Sequence, residues 1–278
     1  MSPTGLEGAG TSPRAAGLFE AWRRREPTLA AFALLMVAAT VPTLIAMAVD
    51  VRTFNGINVW IKPFKFQASV AIYLATVAWF WPYIDAAIRA RGVVRAGVWT
   101  LCIFLFLEIA YITYRAALAE GSHFNTSTPI AAVVYPLMGV AILIAVSIGA
   151  WFGVLILRST EGGISANLRF AIGAGLLAGN ILGGASGAVM SSYGSHWIGG
   201  VHNDAGGLLF FGWSRTGGDP RVAHFIGLHA MQAIPVIGYV VQRRAAGRMI
   251  IWAALVLWTA ITAATFIQAL LGRPLLPP

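Results

Sequence analysis

Seven apolar blocks, each long enough to cross a bilayer, constrain this chain more than any other feature of its sequence. A transmembrane helix needs about 20 predominantly apolar residues. Only 10% of the 278 residues are charged and 58% are hydrophobic, whereas a soluble domain carries about 25% charged residues. We therefore predict an all-α fold, a polytopic transmembrane helical bundle of about seven helices. The predicted spans are 29–49, 66–87, 95–116, 129–157, 169–191, 222–242 and 249–271.

The arginines between the blocks predict the orientation of the bundle. They concentrate in the N-terminal segment and in every second connection, which the positive-inside rule assigns to the cytoplasm. The N-terminus is then cytoplasmic, the C-terminus is outside, and a multi-pass protein of a bacterial inner membrane is expected. Residues 1–28 are predicted to be a disordered basic cytoplasmic tail, 29–271 the membrane domain and 272–278 a short outer tail. The net charge of +9 forms no continuous basic face, so nucleic acid is not an expected partner.

Glycine and proline mark particular helices of the predicted bundle. Gly175, Gly179, Gly183 and Gly187 recur every four residues, which places them on one face of the fifth span. Without a Cβ atom, such a face lets another helix approach closely. Three prolines fall inside predicted spans and are expected to kink them. These are Pro42, Pro136 and Pro235.

All five histidines fall on the predicted outer side of the membrane. Histidine binds metals and transfers protons near neutral pH. A catalytic zinc site needs about three protein ligands and an open position for water. The predicted metal ligands are His123, His196, His202 and His224, with Asp204 and Asp219 as further candidates. His224 and His229 are five residues apart and do not share a helix face well, so we expect them to have different partners.

Charged groups accompany these histidines. Glu108, about two turns inside the third span, is the expected general acid and base, since an intramembrane carboxylate indicates a functional site. Arg115, seven residues later, shares its helix face with Tyr111 between them. Lys62 and Lys65 favour interfacial anchoring, with capture of an anionic headgroup as the alternative. The predicted catalytic residues are Glu108, Arg115, Asp219, Arg221 and His229.

The long connection at residues 192–221 contains eight glycines together with several large apolar residues. A freely solvated loop would avoid those apolar side chains, and long loops are usually functional. We expect it to fold over the mouth of the bundle as a cap.

These features favour a metal-dependent hydrolase that acts on a lipid or another amphiphile at the outer leaflet, with zinc or another divalent metal as cofactor. Membrane lipids are the expected partners. Seven-helix amidohydrolases of the ceramidase type are an architectural analogy, but the HxxxH pair expected of them is missing. The alternative is a proton-coupled transporter or channel-like protein that uses Glu108 and His229. A haem-binding electron carrier is the third possibility, with His229 as the best-buried candidate ligand.

Two segments of the sequence resemble a group of uncharacterised bacterial multi-pass membrane proteins. They are Asn58–Phe66, which reads NVWIKPFKF, and Asp219–Gln232, which reads DPRVAHFIGLHAMQ. The resemblance implies the helical membrane class and brings no activity with it.

Overall fold

A computed structural model describes residues 13–208 and 211–278 of the chain. This described part is an all-α bundle with one two-stranded hairpin. Six helices, α2 and α5 to α9, are long and apolar enough to cross a membrane. The predicted all-α membrane bundle is thereby confirmed. The helices are α1 (Pro13–Arg25), α2 (Pro27–Val49), α3 (Ile61–Phe80), α4 (Ala86–Arg89), α5 (Gly92–Ala117), α6 (Pro129–Arg158), α7 (Ala166–Tyr193), α8 (Arg221–Val241) and α9 (Gly247–Leu270).

The second predicted span differs most from the structure. We expected it at 66–87, whereas α3 runs from Ile61 to Phe80. Trp81–Tyr83 forms a 3₁₀ turn that contains Pro82, and Ile84 has extended backbone. Proline has no backbone N–H to continue a helix, which explains the early end. Because α3 begins at Ile61, earlier than expected, Lys62 and Lys65 lie in its first two turns.

The N-terminal segment also differs from its prediction. Residues 1–12 lie outside the described part, but Pro13–Arg25 forms α1 where we expected a disordered tail. Trp22 Nε1 donates to Ala75 O at 3.2 Å, and Arg25 Nη1 donates to Trp79 O at 2.8 Å. The Arg25 guanidinium also lies 4.3 Å from the centre of the Trp79 ring. Attachment to α3 therefore gives this segment a structure that its composition does not indicate.

Polar contacts join the connections at one end of the bundle, which we call the arginine end. There α2, α5, α7 and α9 begin, and α3, α6 and α8 end. Arg95 Nη1 lies 2.5 Å from Glu26 Oε1, and Arg169 Nη1 donates to Tyr83 O at 3.2 Å. At the opposite end α3, α6 and α8 begin. We call it the histidine end, because three histidines lie in its loops and two in the first half of α8.

The predicted glycine face is the contact between α7 and α8. A Cβ atom at Gly179 would lie 2.8 Å from Leu228 O, and one at Gly175 would lie 3.0 Å from Ala230 O. The first distance is too short for a real Cβ atom and the second is tighter than most, so glycine is what allows the two backbones to approach this closely. The three prolines lie inside helices as predicted, in α2, α6 and α8.

Candidate functional site

A short hairpin and the long α7–α8 loop close the histidine end. Strands β1 (Thr53–Phe54) and β2 (Ile57–Asn58) pair antiparallel around a turn at Asn55 and Gly56, both with positive φ. Asp204 N donates to Asn55 O at 2.9 Å, which attaches the loop to the hairpin. The two ends of the loop meet in a bridge between Ile198 and Gly218. These contacts hold the loop in place beside the start of α3.

Two lysines enter this end from the first turns of α3. Lys62 Nζ lies 3.3 Å from His123 Nδ1, and Lys65 Nζ donates to Phe211 O at 2.8 Å. Both side chains are half-buried. None of the carboxylates in the described ranges lies within 4.0 Å of either amine. Two cationic groups therefore converge here without a carboxylate in direct contact.

His123 joins Lys62 to the buried carboxyl group of Glu108. Its Nε2 atom lies 3.7 Å from Glu108 Oε1, and Ser122 Oγ lies 3.1 Å from its Nδ1 atom. An ammonium group can only donate, so Nδ1 accepts from Lys62 and the ring proton of neutral His123 sits on Nε2. That proton faces Glu108, which is only 9% exposed. The three side chains are thus neighbours, with a 3.7 Å gap between imidazole and carboxyl that is slightly longer than a hydrogen bond.

Phe124 lies between this triad and a second polar group. Its backbone has a φ of 57°, which is rare for a bulky residue. The ring centre lies 6.2 Å from the ring centres of both His123 and His196. The left-handed backbone thus places one aromatic ring against the two histidines.

The second group is a chain of paired charges that leads from His196 to α8. His196 Nε2 lies 3.4 Å from Asp204 Oδ1, and Arg221 Nη2 donates to the same oxygen at 2.9 Å. Arg221 Nη2 also donates to Asp219 Oδ2 at 2.7 Å and to Gly212 O at 2.8 Å. Ser214 N donates to Asp219 as well, so this acid joins the loop to the start of α8. Arg221 is therefore engaged by two carboxylates.

Burial keeps His123 and His196 neutral at this end. It lowers the pKa of His123 well below its usual value, and the positive charge of Lys62 adds to the effect. Burial also lowers the pKa of His196, against the opposing effect of Asp204. For Asp204 burial acts in the raising direction, but the hydrogen bond from His196 and the charge of Arg221 hold its pKa below the usual range. The resulting state is neutral imidazole beside ionised carboxylate.

Tyr111 and Arg115 follow Glu108 on α5, three and seven residues later. Arg115 is 5% exposed and pairs through Nη2 with Glu120 Oε2 at 2.5 Å. Its Nε atom and the Tyr111 hydroxyl are buried and have no hydrogen-bond partner among the described residues. Arg115 is thus held by the loop after α5, with part of its donor capacity unused.

The other three histidines lie apart from the triad. His224 Nδ1 lies 2.9 Å from Gly183 O across the glycine contact, whereas His229 Nδ1 lies 2.7 Å from Phe225 O of its own helix. The expectation of different partners for these two is confirmed. His202 is exposed and stacks on Trp197. Among the described residues no group of three or more His, Cys, Asp or Glu side chains could hold a metal ion, so the predicted four-histidine metal site gains no support.

Two residues of this end escaped the sequence analysis. Ser122 and Phe124 flank His123, and each contacts its ring. Their adjacency to a candidate histidine was the available signal. Neither residue type indicates a site by itself.

No protein family matches the chain, and no curated protein or solved structure shows significant similarity to it. The fold and the apolar spans define the class, which is a multi-pass integral membrane protein. Any finer assignment must come from the chemistry of the histidine end.

Proposed function

We propose that this protein is a membrane hydrolase that acts on an anionic amphiphile at the histidine end of the bundle. The observation that carries the proposal is the convergence of Glu108, His123 and Lys62 from α5, its following loop and α3. A buried carboxyl group beside a neutral imidazole can exchange protons with a reacting water molecule. Lys62 and Lys65 supply positive charge where the headgroup of a lipid would lie.

In this proposal Glu108 takes a proton from water while the water oxygen attacks the electrophilic carbon of an ester or amide. The bond to the leaving group then breaks, and the same proton passes from Glu108 to the leaving oxygen or nitrogen. His123, whose Nε2 atom lies 3.7 Å from Glu108, orients the carboxyl group once the two side chains approach by a few tenths of an ångström. Arg115 and Arg221 hold the loops that surround this centre, and Asp219 fixes Arg221.

The sequence analysis expected zinc or another divalent metal, whereas this proposal assigns the acid–base step to side chains alone. Zinc would need about three ligands around one point, and the described residues offer no such group. The acid–base route uses only Glu108, His123 and water. Hydrolysis that continues unchanged in EDTA agrees with this route, and loss of hydrolysis in EDTA would overturn it in favour of the metal-dependent one.

We place the histidine end on the extracytoplasmic side of a bacterial inner membrane. The arginine end carries eleven arginines, and this excess favours the cytoplasm. They are Arg23, Arg24, Arg25, Arg89, Arg91, Arg95, Arg158, Arg169, Arg243, Arg244 and Arg248. Labelling of a cysteine introduced at exposed Val201 by a membrane-impermeant maleimide in intact cells tests the orientation. No labelling before lysis would contradict it.

The hydrolase is tested with purified protein in nanodiscs that contain anionic phospholipids and N-acyl lipids. Mass spectrometry of released fatty acids measures turnover. We expect Glu108→Gln to lower turnover by about 100-fold or more, the usual contribution of a general acid or base. Glu20→Gln, which alters an exposed carboxylate of α1, is the matched control. No release of fatty acid by the wild-type protein, or full activity of Glu108→Gln, would overturn the proposal.

The transport alternative uses Glu108 and His229, but only Glu108 lies next to a group that could exchange a proton with it. Glu108 has a proton partner, but His229 bonds to its own helix and no described carboxylate lies within 4.0 Å of it. Proton flux into liposomes that depends on Glu108, without lipid turnover, would favour transport over hydrolysis. An absorption spectrum of the same sample tests the haem possibility through its Soret band.

A further inference from the structure

A cavity of about 400 Å³ lies between α2, α3 and α5, apart from the charged groups of the histidine end. Its volume falls within the roughly 300–1,000 Å³ range of small-molecule pockets. The wall is mostly aliphatic and aromatic. Its lining includes Leu35, Met36, Pro42, Trp60, Phe106 and Ile109. The side chains of Leu35 and Phe106 are exposed, so the cavity lies next to the lipid-facing surface.

One buried polar atom in this wall lacks a partner. Gln67 is 2% exposed, and its Oε1 atom accepts no hydrogen bond from the described residues. Gln67 lies six residues after Ile61, about 9 Å along the helix from the start of α3. An amide oxygen at that depth cannot be satisfied by hydrocarbon, and an unsatisfied buried acceptor destabilises the fold by about 1–3 kcal/mol.

The neighbouring hydroxyl group fixes which atom of the amide is unpaired. Thr43 Oγ1 donates its single hydrogen to Ala39 O at 3.0 Å. It can therefore only accept from Gln67, through Nε2 at 2.9 Å. The amide must point its nitrogen at Thr43, which leaves the oxygen as the unpaired atom.

The other polar side chains of the wall already use their hydrogens. The Thr113 hydroxyl donates to Ile109 O at 2.8 Å, and Trp60 Nε1 donates to Asp50 Oδ2 at 2.9 Å. Gln67 lines the cavity, so the hydrogen that its Oε1 atom lacks can be supplied by a molecule bound there. That molecule must donate a hydrogen bond while the rest of its surface is apolar.

We propose that this cavity binds a lipid that carries one hydroxyl group on an otherwise apolar chain, with the hydroxyl donating to Gln67 Oε1. The site shares no lining residue with the Glu108 triad, and it would serve as a lipid site whether or not that triad is hydrolytic. A long-chain alcohol satisfies both the acceptor and the aliphatic wall, whereas a hydrocarbon chain satisfies only the wall.

The test uses a twelve-carbon alcohol with a mid-chain diazirine and its methyl ether, which has no hydrogen to donate. Both are photolysed with the full-length protein in phosphatidylcholine nanodiscs, and labelled peptides are identified by mass spectrometry. We expect saturable labelling within residues 35–46, 60–67 and 106–113. The alcohol should bind about three- to tenfold more tightly than the ether, as one neutral hydrogen bond allows.

Substitutions then test the hydrogen bond to Gln67 and the apolar cavity separately. Gln67→Leu should weaken alcohol binding to the level of the ether and leave ether binding unchanged. Ala39→Phe, which fills the cavity, should remove both. Gln232→Leu is the matched control, because Gln232 also has an unpaired buried oxygen but lies on α8 outside this cavity.

Equal binding of alcohol and ether to the wild-type protein would overturn the proposal and indicate that water alone satisfies Gln67. Labelling at other peptides would overturn it too. The comparison of the two probes needs only the wild-type chain, so it decides the question even if Gln67→Leu does not fold.

Discussion

The two ends of the bundle use charged residues in different ways. At the arginine end a guanidinium pairs with the buried Glu26 while its own side chain remains 40% exposed to solvent. At the histidine end Arg221 is 26% exposed and Asp219 only 1%, and both also bond to loop backbone. Both acids are buried, so the two pairs differ in the arginine, which is more exposed at the arginine end. A charged group that is removed from water depends on neighbouring groups for its hydrogen bonds. The charged residues of the histidine end should therefore be the more sensitive to substitution of a neighbour.

Among substitutions that compare the two ends, we expect Asp219→Ala to cause the largest loss of stability. The change removes one of the two carboxylates that hold Arg221 and leaves the Ser214 N–H without its acceptor. Removal of one partner of a buried ion pair destabilises by about 3 kcal/mol or more. Chemical unfolding in detergent, followed by tryptophan fluorescence, measures the loss. Glu20→Ala, which removes a solvent-exposed pair with Arg23, is the control and should change stability little.

At the arginine end, Glu26→Ala should have a smaller effect. It removes the side chain that accepts from Leu29 N at the start of α2, and loss of such a cap destabilises by about 1–2 kcal/mol. Arg95 keeps contact with solvent and adds little. The same unfolding measurement applies. A loss for Glu26→Ala that exceeds the loss for Asp219→Ala would break the proposed difference between the ends.

Acidification should weaken the histidine end selectively. The folded-state pKa of His123 lies below that of the unfolded chain, so the unfolded chain binds a proton first as the pH falls below about 6.5. Stability should therefore fall from pH 6.5 downward, by at most about 1.4 kcal/mol per pH unit from this residue. His123→Gln should reduce the fall between pH 7.5 and 5.5, whereas exposed His202→Gln should leave it unchanged. If the wild-type protein and His123→Gln lose stability equally over this pH range, the burial of His123 is contradicted.

The smallest effect is expected where α1 lies on α3. Trp79→Leu removes the ring beneath the Arg25 guanidinium but keeps the carbonyl that Arg25 also contacts. A cation–π contact at an exposed site contributes about 0.5–1 kcal/mol. Limited proteolysis at Arg23 and Arg24, which should become faster, measures the loosening of α1. An unchanged cleavage rate would show that the backbone contact alone holds this helix.

Most of the fold could be predicted because each long helix carries its own signal. An apolar run of about 20 residues identifies a span without knowledge of its neighbours, and six predicted spans match helices to within three residues at each end. The exceptions depend on context. α3 includes lysines that hydropathy excludes, and α1 has no apolar run and gains its structure from contacts with α3.

The site was less predictable for a related reason. Glu108 and Lys62 stand out in the sequence, but which histidine they meet depends on how two loops fold. His123 reaches them from the loop after α5, whereas His202 is exposed on the α7–α8 loop. Sequence spacing separated only His224 from His229, since both lie on one helix. The glycine repeat predicted that α7 meets another helix closely, but no local pattern indicates which elements the loops bring together.

The glycine contact between α7 and α8 also determines how tolerant the histidine end is to change. Because backbone contact already brings Tyr193 and Arg221 to the same end, the length of the loop between them does not align the two helices. Doubling a flexible loop adds only about 0.6 kcal/mol of closure entropy. Insertions at exposed Val201 would therefore leave the bundle assembled, so the surface that meets a ligand can diversify over evolution while the scaffold stays constant.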